Sequence, residues 1–229
     1  MLIFFFILLY VRSTKGIKRL SQKERIAVLL PEKIIENLTG IMLSDGHIQR
    51  RSVSGNARFM FNQSGKVDKR PYFELVYSLF KFCCHKDYEY SIRIWLDKKS
   101  NQEYSSISFA TMQLPCFTKI HSLWYLNGLK KVPMNIKELL TPLVLAHWIM
   151  GDGSRQNKGL HLSVYAFTIE DVKLLINVLE TKFDLKCSIH KHSTIGNKPR
   201  IYIWEKSRTK LRILVSPYII PSMQYKIQK

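Results

Sequence analysis

Two aspartates, each closing the same apolar phrase, are the residues of this sequence best placed to do chemistry. Asp45 lies at the end of 38–46 (LTGIMLSDG), and Asp152 lies at the end of 145–153 (LAHWIMGDG). Each apolar run predicts a helix ending at its aspartate, where the helix dipole is negative and disfavours an anion. Two carboxylates gathered at paired helix ends would repel each other, and a divalent cation would relieve that repulsion. The pair therefore predicts a Mg²⁺ site suited to phosphodiester hydrolysis, with Mn²⁺ able to substitute.

Small residues around the two aspartates predict that the helices approach each other closely. They are Thr39, Gly40 and Ser44 in the first copy and Ala146 and Gly151 in the second. We expect Gly46 to cap the first helix in the left-handed conformation. The alternative is that both aspartates are ordinary residues at a helix-to-turn boundary. The presence of two copies in register disfavours this alternative.

The segments that follow the two phrases also match each other, so the elements that position the aspartates form an internal repeat. After each Asp-Gly a loop is expected. The first copy then predicts a strand (57–63), a helix (71–84), two strands (89–96 and 104–110) and a helix (113–126). The second predicts a strand (160–167), a helix (169–183), two strands (186–192 and 199–205) and a helix (207–216). The order is α-β-β-α-β-β-α in both copies, a mixed α/β (α+β) fold with pseudo-two-fold symmetry.

The repeat also divides the chain. We expect an apolar and basic N-terminal extension (1–20), a first half (21–129), a linker containing Pro133 (130–140) and a second half (141–229). The apolar run 2–11 is too short to span a bilayer, so no stable membrane span is expected.

The charge balance favours a polyanionic partner. The 229 residues include 36 Lys and Arg against 17 Asp and Glu, a net charge of +19. Basic side chains set against phosphates release condensed counterions, which favours nucleic acid binding. They are spread from Arg12 to Lys229, which favours a folded surface that follows a long duplex. With 46% hydrophobic residues a disordered chain is excluded, and a solvated basic surface with no nucleic acid role is the plain alternative.

Polar side chains that alternate with apolar ones predict the surface for that partner. They include Arg93 in the first half and Arg200, Tyr202, Trp204 and Lys206 on one side of the last strand. His190 and His192 also share a face, where contact with phosphate or solvent is favoured over a metal. An ordinary half-buried sheet with a solvated face is the alternative.

At the two aspartate phrases the sequence resembles the single-chain LAGLIDADG homing endonucleases, which are named for that motif. The stretch 130–153 and the ending 217–226 (PYIIPSMQYK) are most similar to the omega-intron endonuclease branch, and the resemblance covers about residues 33–227. It implies motif helices at a central interface and two saddle-shaped antiparallel sheets over the DNA. The consensus glycine of the first motif is Gly40, and its counterpart in the second is His147, which implies altered helix packing.

The resemblance also implies roles for particular residues. Asp45 and Asp152 would be metal ligands, helped by the main-chain carbonyls of Ser44 and Gly151. A basic residue in each half would order water near the scissile phosphates. The matching positions are Lys130, with Lys131 as the neighbouring candidate, and Lys226. A polar side chain at Asn62 or Gln63 would join them.

Two main functions are open at this point. The first is a Mg²⁺-dependent endonuclease that cuts double-stranded DNA at a long, asymmetric site as a monomer. The second is an RNA-binding intron maturase on the same scaffold, whose partner would be its own intron RNA, and a basic DNA-binding domain without catalysis is a third. The codon bias implied by abundant Lys, Ile, Phe, Tyr and Asn favours an organelle, the mitochondrion over the chloroplast.

Overall fold

The computed structural model describes residues 20–156, 158–192, 196 and 198–228. The expected extension over residues 1–20 therefore lies almost wholly outside the described residues. The first part of the chain forms α1 (Gln22–Ala27), α2 (Glu32–Leu43), β1 (His47–Gln49), β2 (Arg58–Ser64), α3 (Arg70–Phe80), β3 (Ser91–Asp97), β4 (Gln102–Ala110) and α4 (Pro115–Trp124). A short hairpin of β5 (Tyr125–Leu126) and β6 (Leu129–Lys130) follows, and then α5 (Ile136–Leu139).

The second part repeats the first from its motif helix onward. It forms α6 (Pro142–Asp152), β7 (Gly153–Gln156), β8 (Gly159–Ser163), α7 (Ile169–Phe183), β9 (Cys187–His192), β10 (Lys198–Ile203) and α8 (Arg208–Val215). Short 3-10 turns cover Lys81–Cys83, Glu205–Ser207 and Pro221–Lys226. The predicted order α-β-β-α-β-β-α is confirmed in both copies. The loop expected directly after each aspartate was wrong, because β1 and β7 begin there.

Two antiparallel sheets of the same topology flank the motif helices. Their strand orders are β1-β2-β4-β3 and β7-β8-β10-β9, so corresponding strands occupy corresponding places. In β2 the residues Phe59 and Phe61 are buried while Asn62 is exposed, as the period of two in a strand requires. Each sheet therefore has an apolar face on the core and a polar face directed away from it.

The two motif helices form the centre of the core. Every residue of α2 from Asn37 to Leu43 is buried, and so is every residue of α6 from Leu143 to Met150. A helix that is apolar on all sides must be surrounded by protein, and α6 packs on both α2 and the second sheet. The central position of this pair fixes where the residues after the two helices must meet.

Local signals explain where the helices start. Thr168 accepts a hydrogen bond from the main-chain N–H of Asp171, and the Asp171 carboxylate accepts one from the N–H of Thr168. This reciprocal capping box begins α7 although Asp replaces the usual Glu. Thr141 caps α6 by accepting from the N–H of Val144, and Pro142 fits its first turn.

Among the described residues, no helix is both long and apolar enough to cross a membrane.

Candidate nuclease site

The C-terminal ends of α2 and α6 touch, and small residues make that contact feasible. A Cβ placed on Gly151 would lie 2.3 Å from the Oγ of Ser44. One helical turn or so earlier, a Cβ on Gly40 would lie 2.4 Å from the main-chain oxygen of Val144 and 2.6 Å from the Cβ of His147. Asp45, two residues after the end of α2, and Asp152, the last residue of α6, are therefore brought to the same place.

The two glycines after the aspartates allow a close approach of the main chain, whereas a left-handed cap was predicted at Gly46. Gly46 is not in the left-handed region, and Gly153 is extended with φ −70° and ψ 133°. The predicted left-handed cap at Gly46 was therefore wrong. A Cβ on Gly46 would lie 2.7 Å from the oxygen of Ile41, and one on Gly153 would lie 2.5 Å from the oxygen of Ile149. Glycine is needed here because the chain turns back across its own helix into β1 or β7.

The two carboxylates interact electrostatically across the contact between α2 and α6. Burial, and after it the negative charge of Asp45, raises the pKa of Asp152 to about 7 against the opposing effect of Lys130 and Lys226. The pKa of Asp45 is also raised by burial, although its side chain is open to the cleft, and the same two lysines and Lys69 oppose the rise. An added positive charge at this point would favour the ionised form of both groups.

Two lysines, one beside each aspartate, bind the helix ends in matching ways. The Nζ of Lys130 donates to the main-chain oxygens of Ser44 (3.2 Å) and Gly46 (2.8 Å). The Nζ of Lys226 donates to the oxygens of Met150 (2.6 Å) and Gly151 (3.3 Å), and to that of Ile149. Burial lowers the pKa of each lysine to about 8, and the two aspartates oppose the decrease. The pseudo-symmetry thus extends from the carboxylates to their cationic neighbours.

Of the two neighbouring candidates, Lys130 is the lysine that reaches the site. Its position at the end of the β5–β6 hairpin directs it inward, while the main-chain N–H of Lys131 donates to the oxygen of Trp124. The hairpin turns at Asn127 and Gly128, both with positive φ, which is the signature of a tight two-residue turn. The segment predicted as the linker (130–140) thus begins with this candidate site residue, and it also contains the short helix α5.

A cleft of about 520 Å³ opens beside Asp45, between the first sheet and the end of α6. Asn62 and Gln63 both line it, from opposite faces of β2. The Oε1 of Gln63 is buried without a hydrogen bond partner, so an acceptor remains for a ligand or water. Lys69, Trp95 and Tyr104 complete the walls together with Ser64, Ser105, Ser106, Met150 and Gly151.

Lys69 is a site residue that the sequence analysis missed. Its Nζ lies 3.2 Å from the hydroxyl of Tyr225, the neighbour of Lys226, and its charge lowers the pKa of both Asp45 and Lys226. No pattern singles it out, because it stands in a basic loop that is typical of solvated surface. Only the packing of the second half's last turn against the first half reveals its place.

The polar faces of the sheets carry most of the residues predicted to face a partner. Arg93 on β3 pairs with Ser106, which pairs in turn with Ser64, in a polar row across the first sheet. Arg200 and Tyr202 lie on the corresponding face of β10. Trp204 and Lys206 were wrongly placed on this strand, because β10 ends at Ile203.

Those two side chains nevertheless remain together beyond the strand. The Nζ of Lys206 lies 4.8 Å from the centre of the exposed Trp204 ring, and the Trp204 Nε1 donates to the Oγ of Ser188. Lys206 belongs to the 3-10 turn Glu205–Ser207. A basic and aromatic corner thus closes one end of the second sheet.

His147, which stands where the first motif has glycine, is satisfied by a buried polar network. Its Nε2 lies 2.6 Å from the Oδ1 of Asn37, and its Nδ1 lies 3.1 Å from the hydroxyl of Tyr72. Because the amide oxygen can only accept, Nε2 carries the proton and Nδ1 accepts from Tyr72. Burial lowers the pKa of His147 to about 4. The larger residue is therefore accommodated as a neutral link between α2, α3 and α6.

This network predicts a pH dependence of stability. The pKa of His147 falls from 6.5 to about 4 on folding, so the unfolded chain binds more protons between those values. The free energy of unfolding should therefore decrease as the pH falls through this window, by up to about 1.4 kcal/mol per pH unit. Asp152, whose pKa is raised to about 7, contributes the opposite slope. Urea unfolding at several pH values should therefore be measured in an Asp152→Asn background.

The matched variant carries Asp152→Asn together with His147→Gln. Its stability should decrease less steeply towards acid pH than that of the single Asp152→Asn variant. His161, whose pKa is also lowered to about 4, contributes to the slope that remains. Equal slopes in the two variants would mean that His147 is not held neutral.

The chain contains two copies of one fold, and their two sheets have the same topology. Two carboxylates meet where the central helices of the copies touch. These features define the two-motif, single-chain class of LAGLIDADG proteins. Residues 35–211 match the model of the LAGLIDADG DNA endonuclease family. The chain belongs to that family, as the resemblance of the motifs indicated.

Individual relatives support the assignment. The "Cytochrome b mRNA maturase bI2" of Debaryomyces hansenii is 32% identical over 200 residues, which cover 86% of this chain and 74% of the relative. The "Probable intron-encoded endonuclease 1" of Wickerhamomyces canadensis is 31% identical over 203 residues, covering 84% of this chain and 82% of the relative. The structure of the homing endonuclease I-WcaI bound to its DNA recognition sequence is similar with a TM-score of 0.82 and 26% identity, covering 93% of this chain and 96% of that one.

Proposed function

We propose that this protein is a homing endonuclease that hydrolyses both strands of DNA at a long, asymmetric target site. The observation that carries the proposal is the meeting of Asp45 and Asp152 at the end of the α2–α6 contact, one beside the half-buried Lys130 and the other beside the buried Lys226. The negative charge of Asp45 is, after burial, a cause of the raised pKa of Asp152, which supports this pairing of the carboxylates. Family membership and the similarity to a DNA-bound homing endonuclease support the same function.

The chemistry of the site fits a divalent cation, and we propose Mg²⁺, with Mn²⁺ able to substitute. Carboxylate and carbonyl oxygens are hard ligands, and mutual repulsion between Asp45 and Asp152 favours a cation between them. The carbonyls of Ser44 and Gly151 would assist. Each accepts from a lysine, and a carbonyl oxygen has a second lone pair for a cation. When bound, such an ion would supply an activated water and stabilise the leaving oxygen.

The lysines would act on the substrate from the two sides of the site. Lys130 and Lys226 hold the carbonyls of the helix ends in place and remain largely protonated at neutral pH, since their pKa values are about 8. Their charge would attract a scissile phosphate and order water beside it. Asn62, Gln63 and Lys69 line the adjoining cleft and would add hydrogen bonds to the same group.

Sequence recognition is proposed for the polar faces of the two sheets. Arg93 in the first sheet and Arg200 and Tyr202 in the second would contact bases or phosphates, and Trp204 with Lys206 would contact the backbone at the edge of the second. The two faces differ in sequence, so the target is expected to be asymmetric. Bending the duplex would bring its phosphates to the aspartates.

The proposed division of the chain follows the repeat. Residues 21–129 and 141–229 would each recognise one half of the target, joined by 130–140, with 1–20 as an extension. Both aspartates and both lysines come from one chain, which supports a monomer as the working form. We also propose an organellar location, the mitochondrion in preference to the chloroplast, from the codon bias and from relatives named for cytochrome b mRNA.

The function can be tested before the target bases are identified. Purified protein is incubated with DNA of its own host gene, with the intron removed and the exons joined, in the presence of Mg²⁺. We expect one double-strand cut close to the exon junction, and none in the intron-containing gene. DNA that stays intact while binding is retained would reject the nuclease.

A second candidate is RNA binding in support of splicing. The similarity to a protein named as an mRNA maturase is the observation that favours it. Binding of the protein to its own intron RNA, compared with an unrelated RNA of equal length, would test it. Cleavage of joined exons together with specific intron binding would indicate a bifunctional protein.

Lys130→Met is expected to lower the cleavage rate by about 100-fold, a loss typical of removing one preorganised donor at a reacting centre. The methionine keeps most of the side-chain volume but leaves the oxygens of Ser44 and Gly46 without the ammonium group. The rate should be measured under single-turnover conditions with the joined-exon DNA. Lys131→Met is the matched control and should cleave like the unmodified protein; the reverse order of the two rates would assign the role to Lys131.

A further inference from the structure

Three rings are packed together on the polar face of the second sheet. They are His161 on β8, His190 on β9 and Tyr202 on β10. The Nε2 of His161 lies 3.1 Å from the Nδ1 of His190. The His190 and Tyr202 rings are stacked, with centroids 4.4 Å apart and planes at 15°. The orientation of His190 is therefore fixed by a hydrogen bond and by a stacked neighbour.

Burial divides these rings into a support and an exposed member. His161 is only 3% exposed, and its ring also meets Tyr202 edge-on with centroids 5.1 Å apart. Tyr202 itself lies over Gly159, where a Cβ would be 2.2 Å from its ring. His190, in contrast, is exposed on the outer strand of the sheet. The buried ring of His161 and the ring of Tyr202 thus hold the exposed ring of His190 in place on the polar face of the sheet.

His161 is neutral at ordinary pH. Burial lowers its pKa to about 4, and the charges of Arg200, His190 and His192 act in the same direction. A neutral imidazole has one N–H, so one of its nitrogens donates and the other accepts.

The surroundings decide which nitrogen of His161 carries the proton. Its Nδ1 is buried without a hydrogen bond partner among the described residues, and the Arg200 guanidinium is among the charges that act on the ring. A buried N–H without an acceptor is unfavourable, and a nearby positive charge disfavours it further. The proton is therefore on Nε2, which donates to the Nδ1 of His190. A neutral His190 that accepts at Nδ1 must carry its own proton on Nε2.

On the basis of the proposed nuclease function, we propose that His190 reads one base pair of the target by donating from Nε2 in the major groove, and that His161 is its positioning residue. A lone donor at this point prefers an acceptor edge. Guanine offers both N7 and O6, adenine offers N7 beside a donor, thymine offers O4 beside a methyl group, and cytosine offers only a donor. We therefore expect guanine to be favoured and cytosine to be disfavoured at one position of the half-site bound by the second sheet.

The donor assignment can be tested without DNA. Ring nitrogen signals of the ¹⁵N-histidine-labelled protein at neutral pH should show Nε2 protonated and Nδ1 unprotonated for both His161 and His190. In His161→Phe, which keeps a ring but no donor, the His190 signals should shift towards an average of the two neutral forms. A proton on Nδ1 of His190 in the unmodified protein would overturn the assignment.

The base-reading role is tested by cleavage of a target series with each base pair changed in turn. The unmodified protein should cut guanine at one position about tenfold faster than cytosine, an effect within the range of a good base contact. His190→Ala should lose that preference and keep the others, and His161→Phe should weaken it.

His192→Ala is the matched control, since His192 lies on the same face two residues further along the strand. It should retain the preference at that position. An unchanged profile in His190→Ala would refute base reading. Failure of the unmodified protein to cut any target would remove the nuclease function and base reading with it, while the nitrogen signals would still decide the donor assignment.

Discussion

Asp152→Asn is expected to abolish double-strand cleavage, with a loss of at least about 1000-fold, while DNA binding stays largely intact. A loss of this size follows if the carboxylate contributes several kcal/mol of transition-state stabilisation through a metal ion. Binding should survive because the polar faces of the sheets do not depend on this carboxylate. Folding should survive as well, since Asn removes a charge that burial and Asp45 both disfavour.

The measurement should use supercoiled plasmid that carries one target, because nicked and linear products separate cleanly. Asp45→Asn should behave like Asp152→Asn if the two carboxylates share their metal ions. Accumulation of nicked circles in either variant would mean instead that each aspartate serves one strand. Asp87→Asn, at an exposed position, is the control and should leave cleavage unchanged. Full double-strand cutting by Asp152→Asn would refute the assignment of the site.

Gly40→Ala is expected to lower the free energy of unfolding by about 2–3 kcal/mol, in the upper range of overpacking costs. The added methyl would stand 2.4 Å from the main-chain oxygen of Val144, which cannot rotate away. The helices α2 and α6 must separate to admit it, and the aspartates at their ends separate with them. Cleavage should therefore fall by more than the fraction of unfolded protein explains.

Both quantities should be measured on the same preparation, by urea unfolding and by cleavage at a temperature where the variant is folded. Gly55→Ala is the matched control. Its methyl would approach the hydroxyl of the exposed Ser52, which can rotate, so stability and cleavage should both be close to those of the unmodified protein. A Gly40→Ala protein of unchanged stability would show that the helices can separate at no cost.

Much of the fold could be predicted because the repeat doubles each signal. The helix at 169–183 was predicted with its correct bounds, and the capping pair Thr168 and Asp171 shows why its start is so well marked. The short strands β1 and β7 are part of the predicted order, but they were given no bounds and a loop was expected where they begin. They have few residues, and their pairing with β2 and β8 depends on contacts that a local pattern does not contain.

Some residues of the site could likewise be predicted from the sequence, and others could not. The aspartates could be predicted because two copies stand in register. The choice between Lys130 and Lys131 could not, since it depends on how the β5–β6 hairpin is directed. The function of Gly46 was misjudged because a glycine required by close approach and one required by positive φ are identical in sequence. Lys69 was missed since only tertiary packing brings it to Tyr225.

The link from Asn37 through His147 to Tyr72 has a consequence for engineering by exchange of modules. The two halves are not interchangeable parts, because the imidazole that one half supplies satisfies polar groups in the other. A chimera that joins residues 21–129 to a second half with glycine in place of His147 would leave a cavity and would remove the donor to the Oδ1 of Asn37, and Tyr72 would keep only the main-chain oxygen of residue 147. Grafting should therefore carry Asn37, Tyr72 and His147 across as one set.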